Sequence, residues 1–304
     1  MPKVFVPTYL GGTLALATQP VVGQPETTRP DIYVPGTEPI ADGEIRVSIL
    51  GSGLPFNRIG HGPVVVALQG LVFQNRPLSG TEARFVLRPY GPLAEHRAFY
   101  LVNRRPGLPR GSTLSDMAAD YAAMIRAEFE GAVDVIGISS GGSIAFHFAA
   151  EHPDVVRRLV IQDCGCRQTA SGRAWQAEAG RLATAGRWRE LSRMMMETVQ
   201  PDNALGRAMA WLFSPLMAWS APDDPSDMVG LIDAEDGFDF TGRLGQIAAP
   251  TLIACGELDP FCTPDVARQT ADGIAGARLI VYPGRRHGVR GKRFERDLVD
   301  FLAD

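Results

Sequence analysis

Val133-Asp134-Val135-Ile136-Gly137-Ile138-Ser139-Ser140-Gly141-Gly142 decides the fold. Val133 to Ile136 is a β-branched run that ends at Gly137, and residues from about Ser140 to Glu151 carry a helical pattern that stops before Pro153. A strand therefore runs through a tight turn directly into a helix, with a serine at the turn. Gly137-Ile138-Ser139-Ser140-Gly141 fits G-x-S-x-G, a weak signal alone and a strong one in this setting. A side chain in so sharp a turn is lifted off the sheet edge at the cost of backbone strain. Residues two before and two after it crowd together, which is why glycine stands at both places. The helix that follows turns its N-terminus, and the backbone N–H of Ser140, toward anything the serine attacks.

Working outward, Val64–Leu68 and Ala98–Val102 read as strands before this unit, and Leu159–Ile161, Thr251–Cys255 and Leu279–Tyr282 as strands after it. Helical spacing covers about Ser115–Glu130, Asp265–Ile274 and Arg293–Leu302. Short apolar strands alternating with helices predict a mostly parallel central sheet flanked by helices, an α/β class fold with its strand C-termini along one rim. Residues 167–245 break the alternation. Ala174–Thr198 and Ala204–Trp219 read as helices rich in Met and aromatic residues, so an inserted helical segment is expected there. The predicted division is an extended arm over 1–40, a core made of 41–166 and 246–304, and helical residues 167–245 above it.

A serine hydroxyl needs a base to become a useful nucleophile. Of five histidines, His287 is the one in a loop that follows a strand, Pro283-Gly284-Arg285-Arg286-His287-Gly288, and so shares the rim with Ser139. The base in turn needs an acid to fix its tautomer. Asp259, in Gly256-Glu257-Leu258-Asp259-Pro260 after the Thr251–Cys255 strand, is the first choice. Asp163, which ends the Leu159–Ile161 strand, is the second. The loop Gln69-Gly70-Leu71 follows Val64–Leu68 at the same rim, so the backbone N–H groups of Leu71 and Ser140 are the expected oxyanion donors. The order Ser139, Asp259, His287 differs from that of chymotrypsin and subtilisin.

With these residues in hand, the chain resembles the α/β-hydrolase superfamily, in the form that carries a helical cap. The resemblance covers about residues 41–304: Gln69-Gly70 where the family usually has His-Gly, the Gly137–Gly142 turn, Pro250-Thr251 leading to Gly256-x-x-Asp259, and Gly284-x-x-His287. It implies hydrolysis of an ester, lactone, thioester, amide or carbon–carbon bond without a cofactor. Ser139 at the turn separates the chain from haloalkane dehalogenases and epoxide hydrolases, which have Asp there. The expected reaction is cleavage of an ester or lactone of a largely apolar small molecule through an acyl-enzyme. The alternatives are carbon–carbon bond cleavage on the same three residues, or a small-molecule receptor with little turnover.

Trp211, Phe213 and Met195, from the inserted segment, are the candidate substrate contacts. Arg104, Arg105, Arg285, Arg286 and Arg290 stand at the same rim, either as a carboxylate-binding set or as solvated loop residues.

Composition narrows the partners. A net charge of −4 gives no reason to expect nucleic acid, and no apolar run is long enough to span a membrane. Four cysteines without zinc spacing predict neither a metal site nor a disulfide scaffold; free buried thiols are expected, with a Cys255–Cys262 bridge as the alternative. Ala15-Leu16-Ala17 looks like a signal-peptidase site, but Pro7 and Gly11-Gly12 interrupt the apolar stretch before it. A cytoplasmic location with a small-molecule substrate and no cofactor is the expectation. Oligomeric state, a homodimer included, is left open.

Overall fold

The computed structural model describes residues 32–33, 44–201, 203–219 and 221–303. Most of the predicted N-terminal arm, including Ala15-Leu16-Ala17, lies outside the described residues, and only the short strand β1 (Ile32–Tyr33) is described within it.

Among the described residues, nine strands form one sheet in the order β1-β2-β3-β5-β4-β6-β7-β8-β9. The parallel part comprises β4 (Val64–Leu68), β5 (Ala98–Val102), β6 (Val133–Ile138), β7 (Val156–Gln162), β8 (Thr251–Gly256) and β9 (Arg278–Tyr282). At one end, β2 (Arg46–Leu50) and β3 (Pro55–Ile59) are antiparallel to each other, and β3 is antiparallel to β5. This antiparallel end carries little apolar alternation. In β3, Asn57 and Arg58 are buried, and Asn57 is satisfied by bonds to the backbone N–H and C=O of Leu78.

The parallel strands are apolar on both faces. Val66, Leu68, Val135, Ile253 and Cys255 enter one core, packed by α3 (Leu114–Glu128), α4 (Ser140–Glu151) and α9 (Pro264–Gly273). Val65, Ala67, Ile136, Leu252 and Ala254 enter the other, with α1 (Gly80–Leu87), α2 (Gly91–Ala94) and α10 (Lys292–Ala303). Burial on both sides explains why these strands read as continuous apolar runs. Thr113 caps α3 in a reciprocal box with Asp116, so the helix starts slightly before the Ser115 expected from the sequence.

Between β7 and β8 stand four helices: α5 (Ala170–Thr184), α6 (Trp188–Val199), α7 (Ala204–Trp219) and α8 (Ser226–Glu235). The stretch read as one helix over 174–198 is two. Gly186 takes a positive φ of 65° and turns the chain between α5 and α6. Helix α8 was not foreseen at all. These helices have a small core of their own, Ala179, Leu182, Leu191, Met228 and Ile232, with Phe73 and Leu71 of the underlying loop packed into it.

Candidate active site

Ser139 joins β6 to α4 with φ 51° and ψ −123°, outside the regions open to most L-residues. Tight neighbours make that turn possible. A Cβ on Gly141 would come within 2.1 Å of the Leu68 carbonyl oxygen, and one on Gly137 within 2.5 Å of the Ala145 side chain. The turn is held on one side by Ser139 N–H donating to Gln162 O at 2.9 Å and on the other by Gly142 N–H donating to Ser139 O at 2.7 Å.

His287 lies in the loop after β9. Its Nε2 is 2.9 Å from Ser139 Oγ, and its Nδ1 is 2.9 Å from Asp259 Oδ2. Asp259 is buried in the loop after β8. Its Oδ1 accepts backbone N–H groups from Phe261 at 2.8 Å and Cys262 at 3.2 Å, which leaves Oδ2 aimed at the imidazole. The two loops are tied together, because Leu258 N–H donates to Arg285 O at 2.8 Å and Glu257 N–H to Tyr282 O at 3.0 Å. Phe261 packs edge-on against the imidazole with centroids 4.7 Å apart. Residues separated by more than a hundred positions thus meet in one hydrogen-bonded line.

Asp163, the second-choice acid, is also present. It ends β7 in a left-handed conformation, φ 55°, and is the only non-glycine residue besides Ser139 with positive φ among those described. Its Oδ2 accepts Val289 N–H at 2.9 Å, while Oδ1 has no hydrogen-bond partner. Burial raises the Asp163 carboxyl to about 7, with the His287 charge working against the rise and the Asp259 charge adding to it. Burial disfavours a charged His287, but the Asp259 carboxylate, through charge and hydrogen bond, and the nearby Asp163 together hold the imidazole above its ordinary value. Asp163, Asp259 and His287 offer ligand atoms within 4.8 Å of one another. Both ring nitrogens of His287 are taken up in hydrogen bonds, one by Asp259 and one by Ser139.

A cavity of about 270 Å³ opens on this line. Leu71 and Ser140, the expected oxyanion donors, both line it, as does Met195 from α6. Trp211 and Phe213 do not. They stand on α7, 70% and 41% exposed, away from the residues that line the cavity, which departs from the sequence expectation. A helix rich in aromatics suggested a pocket wall; periodicity alone did not say which side of α7 faced inward. Trp175, Phe238 and Phe261 supply the aromatic lining instead.

Of the rim arginines, Arg104 departs from both readings, while Arg285 is exposed as a solvated loop residue. Arg105 pairs with Asp120, Arg290 lies over the Phe85 ring, and Arg104 is fully buried under the loop after β4. Sequence reasoning missed Glu235, which lines the cavity from the last residue of α8 while only 2% exposed. Its one sequence signal, an acid at the end of a Met-Val-Gly-Leu-Ile run, is faint.

All four cysteines are buried and free, so Cys255 and Cys262 are not bridged. Among the described residues, no helix is long and apolar enough to cross a membrane.

Comparison with known proteins agrees with the fold. The model of the α/β-hydrolase fold family matches residues 103–289, more than half of the chain. The chain belongs to the α/β-hydrolase fold family and is a hydrolase enzyme of that family. It is 29% identical over 261 residues to polyketide synthase ThaQ of Burkholderia thailandensis, covering 81% of this chain but only 12% of that protein. It is 28% identical over 207 residues to the pimeloyl-[acyl-carrier protein] methyl ester esterase of Neisseria meningitidis, covering 62% of this chain and 63% of the esterase. Among solved structures, the enol-lactonase of Burkholderia xenovorans LB400 superposes with a TM-score of 0.67 at 19% identity, over 86% of this chain and 100% of that one.

Proposed function

We propose that the protein hydrolyses an ester or lactone of a largely apolar small molecule, with Ser139 as nucleophile, His287 as base and Asp259 as the acid that orients it. One observation carries the reading: an unbroken line of hydrogen bonds, 2.9 Å at each step, runs from Ser139 Oγ through His287 to Asp259 at the edge of a cavity.

Asp259 keeps the proton of His287 on Nδ1, so Nε2 has its lone pair free to take the Ser139 proton. Ser139 Oγ attacks the substrate carbonyl carbon. The resulting oxyanion rests on the backbone N–H groups of Leu71 and Ser140, the latter at the positive end of α4. Collapse breaks the bond to the leaving alcohol, which takes the proton back from His287. Water, deprotonated by the same imidazole, then releases the acid and restores Ser139. Helices α5–α8 act as a cap over this chemistry, within core and cap boundaries of 41–166 with 246–304, and 167–245. The N-terminal arm over 1–40 remains part of the reading.

The cavity supports the substrate class. Leu71, Trp175, Met195, Val199, Phe238 and Phe261 form an apolar lining, and about 270 Å³ suits a small acyl group. A relative named as a methyl ester esterase and a fold neighbour named as an enol-lactonase support the choice of bond. Four unbridged thiols fit the reducing cytoplasm.

The test is p-nitrophenyl butyrate turnover with and without Ser139→Ala, read beside labelling by a fluorophosphonate. The intact protein is expected to hydrolyse the ester and to be labelled at Ser139, and the folded variant to do neither. Full activity in the variant removes Ser139 from the mechanism.

A further inference from the structure

Two buried charges flank the site, outside the Ser139–His287–Asp259 line. Arg104, two residues past β5, is the largest fully buried side chain among the described residues. Its guanidinium is a fork on one loop: Nη1 donates to Gln69 O at 2.8 Å and Nη2 to Gly70 O at 3.2 Å. Glu235, from the far end of α8, accepts Gln176 Nε2 at 2.7 Å and lines the cavity together with Ser140 and Ser143. Burial pulls the Arg104 guanidinium down and pushes the Glu235 carboxyl up, and the charge of each opposes the other's shift. A fully buried arginine and a carboxyl buried at the cavity wall are a costly way to fill space, since apolar side chains of similar size serve as well or better. Their contacts indicate what they do.

The peptide bond is planar and trans, so a C=O and the N–H of the next residue point in opposite directions. Where Arg104 holds the Gln69 and Gly70 carbonyls, the N–H groups of Gly70 and Leu71, on the opposite edges of those peptide units, face away from the guanidinium. That side of the loop meets the nucleophile: a Cβ on Gly70 would come within 3.0 Å of Ile138 O and 3.3 Å of Ser139 Cβ. A charged donor on a carbonyl also polarises the amide, which strengthens its N–H as a donor. Glu235 stands on the other side, on the cavity wall that Ser140 shares, next to the residue whose N–H opens α4.

We propose that Arg104 and Glu235, two separate buried charges, brace the oxyanion hole from its two sides, Arg104 behind the Leu71 donor and Glu235 beside Ser140. Both are positioning residues and touch no reacting atom. This deepens the serine-hydrolase reading and rests on it. Because Glu235 comes from the inserted helices, the brace also ties those helices to the oxyanion hole.

The test compares Arg104→Met, Arg104→Lys and Glu235→Gln with the unaltered protein, each checked for folding by circular dichroism. Two reversible inhibitors separate the brace from general packing: an alkyl trifluoromethyl ketone, which adds Ser139 and forms an oxyanion, and the matching secondary alcohol, which does not. Arg104→Met is expected to lower kcat on p-nitrophenyl butyrate about 10- to 100-fold and to weaken the ketone by a similar factor, with KM and alcohol affinity within about threefold. Arg104→Lys, a single point donor in place of a fork, is expected to fall between. Glu235→Gln keeps the acceptor oxygen and loses the charge, and is expected to cost about fivefold in kcat and in ketone affinity alike. Where Arg104→Met does not fold, the other two variants decide by the same ratio. Equal weakening of ketone and alcohol overturns the brace, as does unchanged kcat with unchanged ketone affinity. An unaltered protein that neither turns over the ester nor takes the fluorophosphonate overturns the hydrolase reading and the brace together. An active protein with indifferent variants overturns the brace alone.

Discussion

At the sheet rim, the candidate site's side chains are held by the backbone; in the inserted helices they are held by packing. Ser139 and Asp163 sit in left-handed conformations with glycines wedged against neighbouring strands, and Asp259 is pinned by two N–H groups of its own turn. Met195 and Trp175, above them, stand on regular helices around a separate small core. A rim of that kind has few alternative arrangements, because each loop is tied to the next and its glycines leave no room for a methyl group. Side chains on helices with a modest core adjust by rotamer. Changes at the rim should therefore act as losses of function, and changes in the helices as graded shifts in affinity.

The sharpest break is Asp259→Asn. The amide oxygen can still accept the N–H groups of Phe261 and Cys262, so the turn should survive. The amide nitrogen, facing His287, would donate to Nδ1 and move the imidazole proton to Nε2, where it blocks acceptance of the Ser139 proton. A fall in kcat of about 10⁴-fold is expected, with little change in melting temperature. A folded variant that keeps a tenth or more of its kcat would show that another acid, Asp163 first among candidates, orients the base.

The helices should answer more gently, and unequally. Met195→Ala enlarges the cavity wall and is expected to change kcat/KM for butyrate esters by about tenfold, mostly in KM. Trp211→Ser alters a side chain 70% exposed on α7, so both constants should stay within about twofold. Steady-state kinetics on both variants check the contrast. A tenfold loss from Trp211→Ser would place the outer face of α7 in substrate binding after all.

The same contrast explains what could be read from the chain. The turn around Ser139 announces itself because its constraints fall on neighbouring residues, with glycines two before and two after and a strand running in. Asp259 and His287 were legible because each follows an apolar strand and so falls on the same rim. The antiparallel strands β2 and β3 were hidden: polar residues break their alternation, and Asn57 and Arg58 are buried by long-range partners that no local pattern shows. Helix α8 and Glu235 were hidden for a related reason, since the carboxyl's neighbours Ser140, Ser143 and Gln176 come from two other helices. Trp211 and Phe213 show the opposite failure, where local composition was clear and the side facing the cavity was not.

Asp163 gives the smallest effect on activity and the finest test of the rim. Asp259 alone holds His287 Nδ1, so Asp163→Asn should leave kcat/KM at pH 8 within about threefold. Stability should respond to pH. The folded protein keeps the Asp163 proton up to about 7, whereas an unfolded chain loses it near pH 4. Between those values the folded state binds more protons than the unfolded one, so the contribution of Asp163 to stability falls as pH rises through that window. His287 acts in the same direction. Its folded value is raised, so the stability it lends is complete below its unfolded value and is lost as pH rises through the folded one, and Asp163→Asn removes part of that raise. The variant should therefore gain melting temperature relative to the parent as pH is raised from about 4 to about 7, by a few degrees in all, with the difference levelling off above. Thermal melts of both proteins across that range decide it. A difference that stays flat or shrinks would mean that Asp163 is ionised throughout, and that the rim carries two carboxylates beside one imidazole instead of one carboxylate and one carboxylic acid.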